Sequence, residues 1–261
     1  VAAPASGNLA KRVASAAILA PLGLLALFIG GPLWDAVIAL AAAGVAFEWS
    51  AICQRARAAR AALIALSVVV TLAGALGQLR AAFAILALGM ALLLAWRRGG
   101  SALSCGAAYV ALPSLALVWL RAQPAGLAVV LMVMLTVWAS DTGAYVAGRA
   151  LGGPKLAPRI SPSKTWSGAA GGLLAACVVG TLFGLDGRVL HPLPSGPAGA
   201  GLIAGLLGLT AQAGDLAESA AKRRFGVKDS GRLIPGHGGL LDRLDGLMAA
   251  APAAAILLLV A

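Results

Sequence analysis

The chain has 261 residues, of which 61% are hydrophobic and 11% charged, and it carries 34 glycines. Counted with glycine it is about three-quarters apolar, where a soluble domain is about 45–50% apolar and about 25% charged. That balance excludes a water-soluble globule, and it excludes a disordered chain, which needs few apolar residues and much charge. Three widely separated cysteines, Cys53, Cys105 and Cys177, exclude a disulfide scaffold and read as small buried hydrophobes. A polytopic membrane protein remains.

A bilayer core about 30 Å thick takes roughly 20 apolar helical residues. The apolar pattern predicts about nine transmembrane helices, near 13–31, 33–52, 61–79, 81–96, 103–120, 125–146, 168–185, 198–221 and 244–261. Pro21, Pro113 and the Gly171-Gly172 pair fall inside them, which membrane helices tolerate. The first span follows Lys11-Arg12 and reads as a retained anchor. The fold class is therefore all-α, a polytopic integral membrane protein.

The net charge is +11, from 20 Lys and Arg against 9 Asp and Glu. With a cytoplasmic N-terminus and alternating spans, one side collects Lys11, Arg12, Arg55, Arg57, Arg60, Arg97, Arg98, Arg149, Lys155, Arg159, Lys164, Lys222, Arg223, Arg224, Lys228, Arg232 and Arg243. The other side receives only Arg80, Arg121 and Arg188. Such a 17-to-3 division is the signature of cytoplasmic loops. It accounts for the basic balance with no nucleic-acid partner, and it turns the long basic loops toward the cytoplasm.

Residues 1–124 read as transmembrane scaffold. Their acidic residues in or near spans, Asp35 and Glu48, lie close to span ends and read as interfacial groups reaching water. Residues 125–261 read as a catalytic unit with two basic cytoplasmic loops. They place Asp141 in span six, Asp215 and Glu218 in span eight, and Asp242 and Asp245 at the start of span nine. A charge deep in a membrane helix costs about 2.5–3.5 kcal/mol on insertion scales, so such residues usually face a polar cavity. Asp215 and Glu218 are three residues apart, as are Asp242 and Asp245, so each pair shares a helix face. If spans eight and nine pack together, four carboxylates converge. Oxygen donors of this kind suit Mg²⁺ or Mn²⁺. The only histidines are His191 and His237, and no Cys/His cluster points to zinc.

Two loops flank these carboxylates. The first runs from Arg149 to Trp166 and the second from Lys222 to Asp245, and both mix glycines and prolines with cations. Glycines let backbone amides approach an anion, and Lys and Arg neutralise phosphate. Cations beside metal-type ligands describe a phosphoryl-transfer site.

The stretch Ser219, Lys222-Arg223, Lys228-Asp229, Pro235 to Gly239 and Asp242-Arg243-Leu244-Asp245 resembles the signature of the phosphatidate cytidylyltransferases (CDP-diacylglycerol synthases). Ser140-Asp141-Thr142, Lys155-Leu156-Ala157-Pro158 and Ser161-Pro162-Ser163-Lys164-Thr165 are also similar to motifs of that family. The resemblance covers about half the chain. One departure is Ser167, where the family typically carries Glu.

The resemblance implies transfer of the cytidylyl group of CTP to phosphatidate, releasing pyrophosphate, at the cytoplasmic boundary of the cell (inner) membrane. It implies Asp215 and Asp242 as leading metal ligands, with Glu218, Asp245 and Asp141 as further ligands or supporting groups around one or two Mg²⁺ ions. Lys164, Lys222, Arg223 and Lys228 would hold phosphates. His237 with Gly236, Gly238 and Gly239 would shape the nucleotide loop, and Ser161 and Arg243 would join in nucleotide binding. A homodimer is implied as well. Two other readings stay open: a CTP-dependent lipid-alcohol kinase, and an ion-coupled secondary transporter, which also places carboxylates and glycine-broken helices within the membrane.

Overall fold

The computed structural model describes residues 6–96, 100–185, 196–236 and 238–260. Among the described residues the chain forms α1 (Ser6–Ile29), α2 (Gly31–Ile52), α3 (Arg57–Ala75), α4 (Leu79–Ala95), α5 (Ser101–Arg121), α6 (Gly126–Leu151), α7 (Trp166–Gly184), α8 (Pro197–Arg224) and α9 (Leu241–Leu259). A two-stranded antiparallel sheet, β1 (Lys155–Ala157) and β2 (Ser161–Thr165), separates α6 from α7. Each helix lies over one predicted span. Six of them, α2, α3, α5, α6, α7 and α8, are long and apolar enough to cross a membrane. The chain is thus a multi-pass α-helical membrane protein. In α9 the opening turns carry Asp242, Arg243 and Asp245.

Helix ends follow local chemistry. Gly30, at φ 70°, precedes α2, which has proline in its first turn. Thr165 ends β2 and caps α7, its Oγ1 accepting the Gly168 N–H at 3.1 Å. The first basic loop is not irregular, as expected from its sequence, but a hairpin. Gly152 and Gly153, at φ 62° and 100°, turn the chain out of α6, and Lys155 then pairs with Thr165 and Ala157 with Ser161. Glycine is suited to these left-handed conformations because it has no Cβ to clash.

The chain divides into two compact units. Residues 1–118 and 227–244 form one, and 119–226 with 245–261 the other. In the first, α3 packs on α2 and α4. Polar cross-ties include Trp34 Nε1 donating to the Leu117 carbonyl at 3.2 Å, and a Thr71–Ser114 hydroxyl pair at 2.7 Å.

In the second unit α7 packs between α6 and α8. Lipid tails are as apolar as leucine, so helices in a membrane associate by close packing of small residues rather than by hydrophobic burial. α7 follows that rule. Its buried face is Gly168, Gly172, Ala176, Gly180 and Gly184, one residue every four, while Leu174, Val178 and Leu182 are exposed. A Cβ at Gly180 would lie 2.2 Å from the Ala200 carbonyl oxygen of α8.

Two expectations are corrected here. Glu48 is not an interfacial group reaching water; it is 1% exposed. Its burial comes from the 227–244 segment, which no local pattern in α2 announces. Of the cysteines expected to be buried, Cys105 is exposed on α5 and Cys177 is only half-buried. Cys53 does behave as a buried hydrophobe: burial pushes its thiol up to about 11, with the nearby Arg55 charge opposing.

Candidate active site

α8 and α9 meet through Gly214, the residue before Asp215. A Cβ there would lie 2.5 Å from the Ala249 Cβ and 3.1 Å from the Asp245 carbonyl oxygen, so only glycine permits this approach. The result is a group of three carboxylates, Asp215 and Glu218 from α8 and Asp245 from α9, whose oxygens lie within 4.8 Å of one another. Glu218 is buried, and Asp215 and Asp245 are partly so. The donors are all oxygen, which fits a hard divalent cation.

Two cations bracket the group. Lys164 Nζ, on β2, lies 2.6 Å from Asp215 Oδ2. Lys222 Nζ lies 2.8 Å from Glu218 Oε2, one helical turn along α8. Like charges this close repel strongly in a low dielectric, and the ammonium groups offset that repulsion.

Asp215 and Lys164 also line a cavity of about 420 Å³ within the second unit. Asp141, Tyr145 and Arg149 contribute one helix face of α6, Leu156 and Ser163 come from the hairpin, and Gln212 comes from α8. Gln212 Nε2 donates to Ser140 Oγ at 3.1 Å and to the Ala169 carbonyl at 3.2 Å, tying α8 to α6 and α7 beneath the cavity. The hairpin is anchored at its base, where Ser167 Oγ donates to the Gly152 carbonyl and meets Thr165 Oγ1 at 3.0 Å.

The loop of residues 227–244 belongs to the first unit. Ile234 and Gly238 exchange backbone hydrogen bonds of 2.9 and 3.2 Å around a turn in which Gly236 and Gly238 have φ 79° and 87°. Asp242 Oδ2 accepts the Ser230 N–H at 3.0 Å and the Gly239 N–H at 3.3 Å.

Of the predicted residues, Asp215, Glu218, Asp245, Lys164 and Lys222 are brought together, and Asp141 lines the adjoining cavity. Ser161 begins β2, and Arg223 Nε approaches the Ile160 carbonyl at 3.4 Å. Lys228 and Arg243 are exposed, and Gly236, Gly238, Gly239 and Asp242 build the loop of the first unit. His237 lies outside the described residues. Sequence reasoning missed Tyr145 and Gln212, and named Arg149 only as the start of the first basic loop. The signal was present: Tyr145 and Arg149 follow Asp141 at steps of four, and Gln212 precedes Asp215 by three.

Helices of membrane-crossing length around an acidic, lysine-bracketed cavity define a multi-pass membrane protein with a site suited to a cation and an anionic ligand. The pattern of the Cytidylyltransferase family matches residues 10–261, and the chain belongs to that family. The chain is similar to a phosphatidate cytidylyltransferase of Brucella suis, 40% identical over 257 residues, covering 94% of this chain and 91% of that protein. It is also similar to phosphatidate cytidylyltransferases of Haemophilus influenzae, 47% identical over 133 residues (49% of this chain, 44% of that one), and of Bacillus subtilis, 44% over 127 residues (49% and 46%).

Proposed function

We infer that the chain transfers the cytidylyl group of CTP to phosphatidate, forming CDP-diacylglycerol and pyrophosphate. The observation that carries the reading is the carboxylate group of Asp215, Glu218 and Asp245, bracketed by Lys164 and Lys222 at the edge of a cavity. A phosphate oxygen of the lipid attacks the α-phosphorus of CTP. The new P–O bond forms as the bond from the α-phosphorus to the bridging oxygen breaks, and pyrophosphate leaves with that electron pair. The nucleophile is already anionic near neutral pH, so no strong general base is required. The barrier is the meeting of two polyanions and the charge gathering on the leaving group, and fixed cations lower it.

Asp215, Glu218 and Asp245 would hold Mg²⁺, with Asp242 and Asp141 as further candidates; bound there, the ion supplies positive charge to the phosphates. Asp242 retains lone pairs beyond those facing the loop amides, since an ionised carboxylate has about four acceptor sites. Lys164 and Lys222, which face carboxylates, would swing to phosphate oxygens on flexible four-carbon stems. Arg223 and Lys228 would neutralise the triphosphate, while Gly236, Gly238 and Gly239, with His237, Ser161 and Arg243, would enclose the nucleotide.

Nine crossings with a cytoplasmic N-terminus, which the charge asymmetry supports, would put this site at the cytoplasmic face of the cell membrane, where CTP is dissolved and phosphatidate enters from the bilayer. A homodimer belongs to the same reading. The deciding assay supplies CTP, phosphatidate and Mg²⁺ and identifies the product. Pyrophosphate release with a cytidylylated lipid is expected. CDP release would make the protein a lipid kinase, and ion-driven uptake without turnover would make it a transporter. A cysteine at position 230 labelled only from the external side would overturn the orientation.

A further inference from the structure

We propose that Glu48, on α2 in the amino-terminal half, is a positioning residue of this reaction, holding the 227–244 loop in the shape that receives the nucleotide. The proposal rests on the reading that this loop binds CTP. Glu48 Oε2 accepts the Leu241 N–H at 2.8 Å and the Ser230 hydroxyl at 3.1 Å. Leu241 opens α9 and stands next to Asp242. Ser230 is the residue whose N–H Asp242 holds at 3.0 Å. One carboxylate from a distant helix therefore grips both ends of the turn that contains Gly236, Gly238 and Gly239.

The fit around it is built. A Cβ at Gly231 would lie 2.5 Å from Glu48 Oε1, and one at Gly239 would lie 2.9 Å from Glu48 Oε2 and 1.7 Å from Ser230 Oγ. Both loop glycines are thus close neighbours of this carboxylate. One turn earlier on α2, a Cβ at Gly44 would lie 2.8 Å from Leu240 Cδ2 and 3.1 Å from Leu233 Cδ2. Gly44 and Glu48, four apart, share a helix face. That face seats two leucines of the loop and hydrogen-bonds its backbone. Glu48 is 1% exposed, and the desolvation cost of a buried carboxylate is offset only by hydrogen bonds to it; here both donors, the Leu241 N–H and the Ser230 hydroxyl, come from the loop and meet Oε2.

The test uses the full-length protein in nanodiscs containing phosphatidate. In Glu48→Ala, KM for CTP should rise at least about tenfold while KM for phosphatidate stays within about twofold. Glu48→Gln, which keeps a carbonyl acceptor for the Leu241 N–H, should restore most of the CTP affinity. Glu48→Ala and Ser230→Ala should be non-additive in KM for CTP, since they break one contact. If Glu48 is merely part of the fold, its loss lowers the active fraction and leaves both KM values unchanged, and that result overturns the proposal. Hydrogen exchange over residues 228–241 reads the clamp without any turnover: faster exchange in Glu48→Ala, largely reversed in Glu48→Gln, is expected, and unchanged exchange in Glu48→Ala overturns the proposal. A wild-type protein inert toward CTP but with the same exchange difference would sink the enzymatic reading and leave the clamp standing.

Discussion

Asp215 and Glu218 face the ammonium groups of Lys164 and Lys222, whereas Glu48 and Asp242 face backbone N–H groups of a single loop. The donors differ in kind. An amide is fixed in the chain, and withdrawing it means reshaping the loop. An ammonium sits on a flexible stem and leaves for another anion at little cost. The first set of ion pairs is therefore exchangeable in the proposed reaction: the carboxylates would take a metal ion and the lysines a phosphate. The second defines shape. Charge alone does not distinguish them, since all four are carboxylates in or beside membrane helices.

The comparison breaks most readily at the exchangeable set. Asp215→Asn should lower kcat by at least about 100-fold, roughly 2.7 kcal/mol of transition-state stabilisation, with the protein still inserted and folded. Asp242→Asn should also cost orders of magnitude. If both residues serve one metal centre, the double variant is little worse than either single one. Turnover should stop with chelator, and each variant should need more Mg²⁺ for half activity. Near-normal turnover by either variant at low Mg²⁺ removes that residue from the centre. An additive double variant would place Asp242 wholly with the shape-defining set.

Lys164→Ala comes next. It removes the cation facing Asp215 and should cost at least about tenfold in kcat/KM, about 1.4 kcal/mol. A loss appearing only as lowered thermal stability, with kinetics intact, would make the Lys164–Asp215 pair structural instead of exchangeable.

Thr165→Ala should lower unfolding stability by about 1 kcal/mol through the lost cap on α7, measured by thermal or denaturant unfolding in detergent. Smallest of all is Ser167→Ala. It gives up the bond to the Gly152 carbonyl at the hairpin base, worth about 1 kcal/mol of stability, and should keep activity within about threefold. Greater damage from Ser167→Ala than from Lys164→Ala would move the chemistry from the lysine to the hairpin's base.

Much of this was legible in the sequence because membrane helices obey local rules. A span announces itself by its own apolar run, and the predicted spans fall on helices of the described residues to within several residues at each end, six of them long and apolar enough to cross a membrane. The pairing of Asp215 with Glu218 follows from helix periodicity, and Asp245 was anticipated as a partner on the condition that spans eight and nine touch. The long signature through Asp242 to Asp245 carried the family. What stayed hidden depended on long-range contacts. The hairpin of 155–165 reads as loop in the sequence because its strands are short and Pro154, Pro158 and Pro162 flank or interrupt them. Glu48 was set aside as interfacial because its partners, Ser230 and Leu241, lie more than 180 residues away.

By itself, then, the sequence determined a multi-pass helical protein, the family, and the carboxylates and lysines of a candidate site, since hydropathy, helical spacing and a contiguous signature are all properties of neighbours along the chain. The tertiary structure alone decided which carboxylates stand together and what each one faces. Asp215, Glu218 and Asp245 converge because Gly214 lets α9 approach α8. Glu48 belongs with the 227–244 loop because the Gly44 face of α2 is narrow enough to seat it. Both outcomes turn on the absence of a side chain at a contact between segments distant in sequence, and no local pattern records what a glycine will be packed against.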